Sequence, residues 1–523
     1  MNLGDTLKKA QKFYASKPAI VCGGHRWTYG EFFDRVTRLS LYLAASGIKC
    51  GGKVAILHPN CHYFLETYYA ITRIGAVCVP INVRLSSAEM AFILTHSESQ
   101  ALVADPLFKG QVDAVMKEVP GLTQIVWTGQ GTGEGVTYET VIAGQEASGP
   151  FPDVEIRPED TAQIYYTSGT TGKPKGVMLS HKNVYLHALG TIAEVQLTDR
   201  DVWVHVAPLF HLADAWATWA VTWVGGTHVI VREFDPKTVF AAIEKERVTV
   251  TNLIPTMLNL MVNHPDAANY SYRSLRVLLS GGAPIAPEVV RRIVETFGCD
   301  YVQTYGMTET SPYLTLSLLK EHLRSLPEAE QLAFKAKTGK EFIGVELRVV
   351  DDQGRDVAAD EREVGEIIVK GDTVTAGYWK APEETEKAIR DGWLYTGDMA
   401  VMDREGYVTI VDRKKDVILT GGENVYSTEV ENVLYMHPAV LECAVIGVPD
   451  EKWGETVKAV VVLKAGRRAT ETDIIRFCKD RMAHYKSPKT VDFVDALPKT
   501  GSGKIQKKDL KDKYWQGYGK RVH

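Results

Sequence analysis

A multidomain α/β protein is the fold class that this 523-residue sequence predicts. Three observations predict it. Helix-like and strand-like segments alternate up to about residue 150 and again from Ala162. Near Phe342 that rhythm gives way to short alternating strands. After Arg413 a last unit begins that mixes helices with strands. The expected organisation is a large N-terminal domain over 1–412, in which about 342–412 forms a small antiparallel or barrel-like lobe, followed by an α+β C-terminal domain over 413–523.

The elements follow from pattern and punctuation. "TYGEFFDRVTRLSLYLAASGI" places apolar residues at helical spacing and ends at Gly47. "KVAILHPN" is a buried strand that stops at Pro59, "HYFLETYYAITRIG" a helix, and "AVCVPIN" a strand. Such βα alternation predicts a largely parallel sheet. The stretch "VWTGQGTGEGVTYETVIAGQEASGPFP" is rich in Gly and polar residues and predicts loop or edge structure. Strands are expected at Gln163–Tyr166 and Val177–Leu179, with a helix capped by Ser180 after them. Further strands are expected near residues 202–207, 227–231, 248–253 and 277–279, then a helix in "SGGAPIAPEVVRRIVETFG". "GVELRVVDD", "GEIIVKG" and "GYVTIVDR" supply the small lobe. The last unit has helices near Thr428–Met436 and Glu471–His484, and strands at Cys443–Val448 and Ala459–Leu463.

Composition narrows the class. Hydrophobic residues make up 45% and charged residues 24%, the balance of a globular protein. The net charge of −5 gives no sign of a nucleic-acid partner. Seven cysteines, an odd number with no CxxC pair, argue against a disulfide framework or a zinc site. A reducing cytoplasmic setting is therefore expected. The N-terminus lacks the apolar core of a signal peptide. The longest uncharged stretch, between Asp214 and Arg232, falls short of a membrane span and reads as buried core. Peripheral membrane association and a homodimer are compatible with the sequence, and neither is signalled by it.

One span is poor core, helix or strand material: "YYTSGTTGKPKGVMLSH", Tyr165–His181. Its glycines and hydroxyls make sense where backbone N–H groups and side chains surround a polyphosphate. It is not a Walker loop, because Gly172-Lys173 is followed by Pro174 and Gly503-Lys504 by Ile505. The span resembles the phosphate-binding signature of the adenylate-forming superfamily, which contains acyl-CoA synthetases, beetle-type luciferases and adenylation domains of peptide synthetases. Four more stretches resemble motifs of that family, in its order: "QTYGMTET" (Gln303–Thr310), "YTGD" (Tyr395–Asp398), "DRKKDVILTGGENVYSTEVE" (Asp412–Glu431) and "PKTGSGKIQK" (Pro498–Lys507). The resemblance covers essentially the whole chain, and is strongest to bacterial medium- and long-chain fatty acyl-CoA synthetases.

The resemblance implies an acid–CoA ligase that forms an acyl-adenylate from ATP, releases pyrophosphate, and passes the acyl group to CoA. It also implies roles. Thr167, Ser168, Gly169, Thr170, Thr171, Gly172 and Lys175 would wrap the β- and γ-phosphates. Glu309 and the Thr167 hydroxyl would hold Mg2+. Thr308 would donate to the α-phosphate and Tyr305 would stack on adenine, beside Gln303 and Thr304. The backbone of Gly281, Gly282 and Ala283 would line the adenine pocket. Asp398 and Arg413 would meet the ribose. Lys415 would be the pivot of a mobile C-terminal domain and would also reach the nucleotide. Lys504, on a flexible Gly-Ser-Gly-Lys tail, would bridge carboxylate and α-phosphate as charge develops. Members that carry a lysine four residues past the pivot use it in thioester formation; here Leu419 stands there.

The segment "APLFHLADAWATWAVTW" (Ala207–Trp223) resembles the border of the family's acyl site. His211 would lie beside the substrate carboxylate, and Trp216 roughly matches a gating tryptophan, one residue further from the histidine. Trp219 and Trp223 follow Trp216 at helical spacing, so a stripe of core indoles explains them equally well. The excursion Ser317–Gly344 resembles the medium- and long-chain branch and tips the substrate toward an alkanoate. An aromatic or cyclic acid, and a carrier-loading adenylation module, stay open as alternatives. A nucleotide-binding protein without activity is a further alternative, disfavoured by the intact Glu309, Asp398, Arg413 and Lys504.

Overall fold

The computed structural model describes residues 2–129, 135–149, 151, 154–167, 174–501, 503–516 and 518. Two large, mostly parallel sheets form the body. The seven-stranded sheet has the order Val136–Thr137, Gln124–Trp127, Ser99–Ala104, Lys53–Leu57, Val77–Pro80, Thr161–Thr167, Lys175–Ser180. All its neighbours are parallel except the last pair, an antiparallel hairpin in which Thr167 faces Lys175. The nine-stranded sheet centres on Val202–His205, Thr227–Ile230, Val250–Asn252, Val277–Gly281 and Asp300–Gly306, all parallel. Antiparallel strands finish its two edges. A five-stranded antiparallel sheet built from residues 345–413 is the small lobe. A last five-stranded sheet spans residues 418–493 and belongs to the small C-terminal domain.

Local chemistry sets the helix starts. Thr28 and Glu31 form a capping box at the helix Tyr29–Ala45, and Ser180 with Asn183 does the same for His181–Val195. The uncharged stretch after Asp214 is buried: Trp216 and Trp219 have no exposed surface. It is not one continuous helix, however. Leu212–Ala215 and Ala217–Val224 are separate helices that meet at Trp216.

Two expectations need correction. The Gly-rich stretch expected as loop or edge holds an edge strand, Val136–Thr137, but also the helix Tyr138–Gly144. The Thr137 side chain caps it, and Tyr138, Val141 and Ile142 bury one face. The helix expected over Glu471–His484 ends at Lys479, where its buried face, Ile474 and Cys478, runs out. The excursion 317–344 holds a 3-10 turn, Glu321–Ser325, a helix, Glu328–Ala336, with Pro327 between them, and the short strand Lys340–Glu341.

Candidate active site

In open α/β sheets the carboxyl ends of parallel strands are where loops gather and ligands bind. Three candidate segments, and one that the motifs do not mark, leave such ends on the nine-stranded sheet. His211 follows the strand Val202–His205, and Ile254–Thr256 follow Val250–Asn252. Gly281–Ala283 close Val277–Gly281, and Tyr305–Glu309 close Asp300–Gly306. Thr167 ends its strand on the other sheet. Ser168, Gly169, Thr170, Thr171 and Gly172 lie outside the described residues.

Asp398 sits in the small lobe with its carboxylate nearly buried, at 8% exposure. The Tyr305 hydroxyl donates to its Oδ2 at 2.7 Å. Arg413, opposite it on the neighbouring strand, brings its Nε to 3.4 Å from Oδ1. Burial raises the Asp398 carboxyl, against the pull of Arg413 and Tyr305. A diol donating two hydroxyls to this carboxylate would replace lost solvation.

Glu309 lies in a short 3-10 turn and is also buried. Tyr378 donates its hydroxyl to Oε1 at 2.9 Å, and the Thr375 N–H donates to the Glu309 carbonyl at 2.7 Å. Burial raises the Glu309 carboxyl, countered by Tyr378, Lys175 and Arg413. Lys175 pairs with Glu384, its ammonium 5.2 Å from the centre of the Tyr378 ring. Among the described residues no cluster of three His, Cys, Asp or Glu side chains could hold a metal unaided. A hard cation at Glu309 would need phosphate oxygens and hydroxyls as further ligands, which is how Mg2+ binds beside nucleotides.

Lys504 reaches this site from the C-terminal domain. A Cβ on Gly282 would lie 2.9 Å from Lys504 Cε, and the backbone there, at φ +94°, favours glycine. Thr256 donates to the Gly503 carbonyl at 3.1 Å, and Arg84 to that of Thr500 at 3.3 Å. Burial, then repulsion from Arg413, lowers the Lys504 ammonium to about 8, with Asp398 and Glu309 opposing. The tail that carries Lys504 is docked in this arrangement.

Gln303 and Thr304 tie their strand to its neighbour at the segment expected to line the adenine pocket. Gln303 Nε2 donates to the Ala283 carbonyl at 3.1 Å, and Thr304 Oγ1 to that of Ser280 at 3.1 Å. Thr308 is partly buried beside Glu309. Lys415 is exposed in a turn at the lobe junction. His211 caps the short helix Leu212–Ala215 by accepting from the Ala213 N–H at 3.1 Å. Burial, then Lys504, drives its imidazole down to about 3, so it is neutral. Trp216 packs edge-on against Trp203, Tyr313 and His187.

Sequence reasoning missed Tyr378, Glu384 and Thr256, which lie outside every motif. It also missed a buried chain behind the acyl segment. Asp214 accepts from Trp203 Nε1 at 3.0 Å and faces His205 Nδ1 at 3.1 Å. His205 Nε2 meets His228 Nδ1 at 2.9 Å, and His228 Nε2 meets Thr222 at 2.9 Å. This chain fastens the segment carrying His211 and Trp216 to two strands.

The fold and the assembled groups define a class: an adenylate-forming enzyme. A family model described as AMP-binding enzyme matches residues 7–379, and one described as AMP-binding enzyme C-terminal domain matches residues 429–504. A feruloyl-CoA synthase from Amycolatopsis is 39% identical over 95% of this chain and 96% of its own. A long-chain-fatty-acid–CoA ligase from Thermus thermophilus is 37% identical over 99% and 96%. A solved anthranilate CoA ligase in complex with anthranoyl-AMP superposes with a TM-score of 0.90, at 26% identity, covering 98% and 97%. The chain belongs to the AMP-binding enzyme family. It is an AMP-forming acid–CoA ligase that works on ATP and CoA.

If Asp398 holds the ribose, Asp398→Ala should raise the KM for ATP about 10- to 100-fold, the worth of one or two charge-assisted hydrogen bonds, ~1.5–3 kcal/mol. The KM for the acid should stay near wild type. Steady-state kinetics with each substrate varied in turn checks this. Unchanged ATP dependence would remove the assignment.

Proposed function

We propose that the enzyme activates a medium- or long-chain fatty acid, with the motif residues in the roles their placement suits. The observation that carries the adenylation chemistry is the approach of Lys504, from the C-terminal domain, to Gly282, Asp398 and Glu309. Asp398, Arg413 and Tyr305 hold the ribose and adenine side. Thr167, Lys175 and Thr308 face the phosphates, with Glu309 and Thr167 as ligands for Mg2+. Bound there, the cation would neutralise charge on the phosphate oxygens.

A carboxylate oxygen attacks the α-phosphorus in line, and the bond to the bridging oxygen breaks to release pyrophosphate. Lys504 donates to the oxygens on which negative charge accumulates, a preorganised electrostatic role. The CoA sulfur then attacks the acyl carbon; its proton leaves and AMP departs. The C-terminal domain beyond Lys415 pivots there between these halves, so that Lys504 withdraws and the thiol enters. Neutral His211 lies beside the acid carboxylate without adding charge.

Trp216, wholly buried against aromatic neighbours, lies in the same segment as His211. It serves as the gate an alkyl chain must displace. A second reading, an aromatic acid, is favoured by the cluster of aromatic rings at Trp216, Tyr313 and His187, and by the feruloyl and anthranilate specificities of the relatives. A panel of octanoate, palmitate, ferulate and anthranilate, scored by CoA-dependent AMP release, tests both readings. ADP as the nucleotide product would overturn the adenylate mechanism. Trp216→Ala should shift the preference among these acids by on the order of tenfold or more, since each methylene accommodated in an apolar pocket changes kcat/KM about 10- to 200-fold. An unaltered acid profile with impaired ATP use would show that the segment serves another site.

A further inference from the structure

The motif carrying Lys504 folds as a narrow hairpin. Lys499 and Ile505 face each other across an antiparallel bridge. The Thr500 N–H donates to the Lys504 carbonyl, the Gly503 N–H to the Thr500 carbonyl, and the Gln506 N–H to the Pro498 carbonyl, each at 2.8 Å. An isolated two-stranded hairpin is marginally stable in water. Something outside it must hold it straight if Lys504 is to arrive at one place.

Two other lysines of the same motif point back into the C-terminal domain. On the incoming leg, Lys499 Nζ contacts both carboxylate oxygens of Glu442, at 2.8 and 3.1 Å. On the outgoing leg, Lys507 Nζ lies 2.7 Å from Glu431 Oε1 and donates to Ser427 Oγ at 2.6 Å. The two glutamate side chains are only 6% and 15% exposed. Glu431 also accepts from the Val445 N–H at 2.7 Å, which fixes its carboxylate on the sheet. The Ser427 N–H in turn donates to Asp412 at 2.6 Å, just before the turn that holds Lys415. Burial works against the Lys507 ammonium, but Glu431, Asp412 and Asp416 outweigh it and raise it above the ordinary lysine range. Both hairpin legs are therefore clamped by buried, charge-assisted contacts, while the tip touches the N-terminal domain through Thr256 and Arg84.

We infer that Lys499–Glu442 and Lys507–Glu431 are positioning pairs, which hold the hairpin rigid so that Lys504 meets the reacting phosphate in a single geometry. The inference rests on the adenylation role proposed above for Lys504. Neither lysine touches substrate; each acts through Lys504. A displacement of about 1 Å can cost on the order of 100-fold in rate. Releasing one leg should therefore slow adenylation selectively. The thioester half, which runs with Lys504 withdrawn, should not depend on where the hairpin points.

The test uses the full chain with Lys507→Met, Lys499→Met, Lys507→Arg, Lys504→Ala and the double variant Lys504→Ala/Lys507→Met. The acid is whichever of octanoate, palmitate and ferulate the wild type adenylates fastest. Pyrophosphate release reports adenylation, and premade acyl-adenylate with CoA reports thioester formation. Lys507→Met and Lys499→Met should each lower the adenylation kcat roughly 10- to 100-fold, with the KM for ATP and the thioester rate near wild type. Lys507→Arg should restore most of the loss. The double variant should be no slower than Lys504→Ala alone, because a residue acting through Lys504 has nothing left to position. Equal slowing of both halves, full adenylation in both Met variants, or an additive double variant would overturn the inference. A Lys504→Ala variant that adenylates like wild type would overturn instead the reading on which it rests.

Discussion

Lys504→Ala should slow adenylation by at least ~10²–10³, equivalent to about 3–4 kcal/mol, the cost of deleting one preorganised donor aimed at developing charge. Loss of a whole cation could cost more. The docking observed here is why the effect should be large. Lys504 lies against Gly282, with Asp398 and Glu309 near enough to oppose the lowering of its ammonium by burial. Water cannot readily supply a replacement cation there. Thioester formation from premade acyl-adenylate should proceed near the wild-type rate. Equal losses in both halves would mean one rigid site performs all the chemistry.

The same lysine makes a pH prediction. Its ammonium is the useful form, and in the ligand-free site it loses its proton as pH rises through about 8. The kcat/KM for ATP in adenylation, which reports the free enzyme, should therefore fall on the alkaline side with an apparent pKa near 8. Bound phosphates favour the cation, so kcat should fall only at higher pH. In Lys504→Ala the residual rate should lack that limb. A wild-type kcat/KM flat through this range would contradict the docked geometry as the free state.

The fold was legible in the sequence where the physics is local. The caps at Thr28 and Ser180 and the alternating apolar runs locate most elements within a few residues. The helix Tyr138–Gly144 escaped because glycines around it hid a short Thr-capped turn, and the end of the helix at Lys479 depends on where its buried partners stop. In the site, the motifs mark residues expected to meet a nucleotide, and the structure brings Tyr305, Asp398, Arg413 and Lys504 together. What the motifs could not mark are partners distant along the chain. Tyr378 supports Glu309 from 69 residues away, and Thr256 meets Gly503 across 247. Such pairs follow from sheet order and domain docking, to which no local pattern points.

Lys415→Pro should produce the opposite kinetic pattern to Lys504→Ala. Proline fixes φ near −65° and disfavours helical φ/ψ in the residue before it, here Lys414. Both act on the exposed turn between Arg413, whose carbonyl accepts from the Asp416 N–H at 2.8 Å, and Ile418, where the C-terminal sheet begins. The Lys415 N–H itself donates to nothing among the described hydrogen bonds, so the N–H that proline lacks costs no hydrogen bond there. Its cost falls on the motion. If the domain must rotate about this turn for CoA to reach the adenylate, a locked φ should leave adenylation within a few-fold of wild type. Thioester formation should drop by on the order of 100-fold or more, the penalty for reacting groups held out of place. Acyl-adenylate should then accumulate on the enzyme and appear in a quenched single-turnover experiment as a persistent intermediate. Lys415→Ala, which removes the side chain but leaves the backbone free, separates the two explanations. Near-normal thioester formation in Lys415→Ala beside failure in Lys415→Pro assigns the defect to the backbone pivot. Normal thioester formation in Lys415→Pro would place the pivot elsewhere, or show that both halves of the reaction share the arrangement seen here.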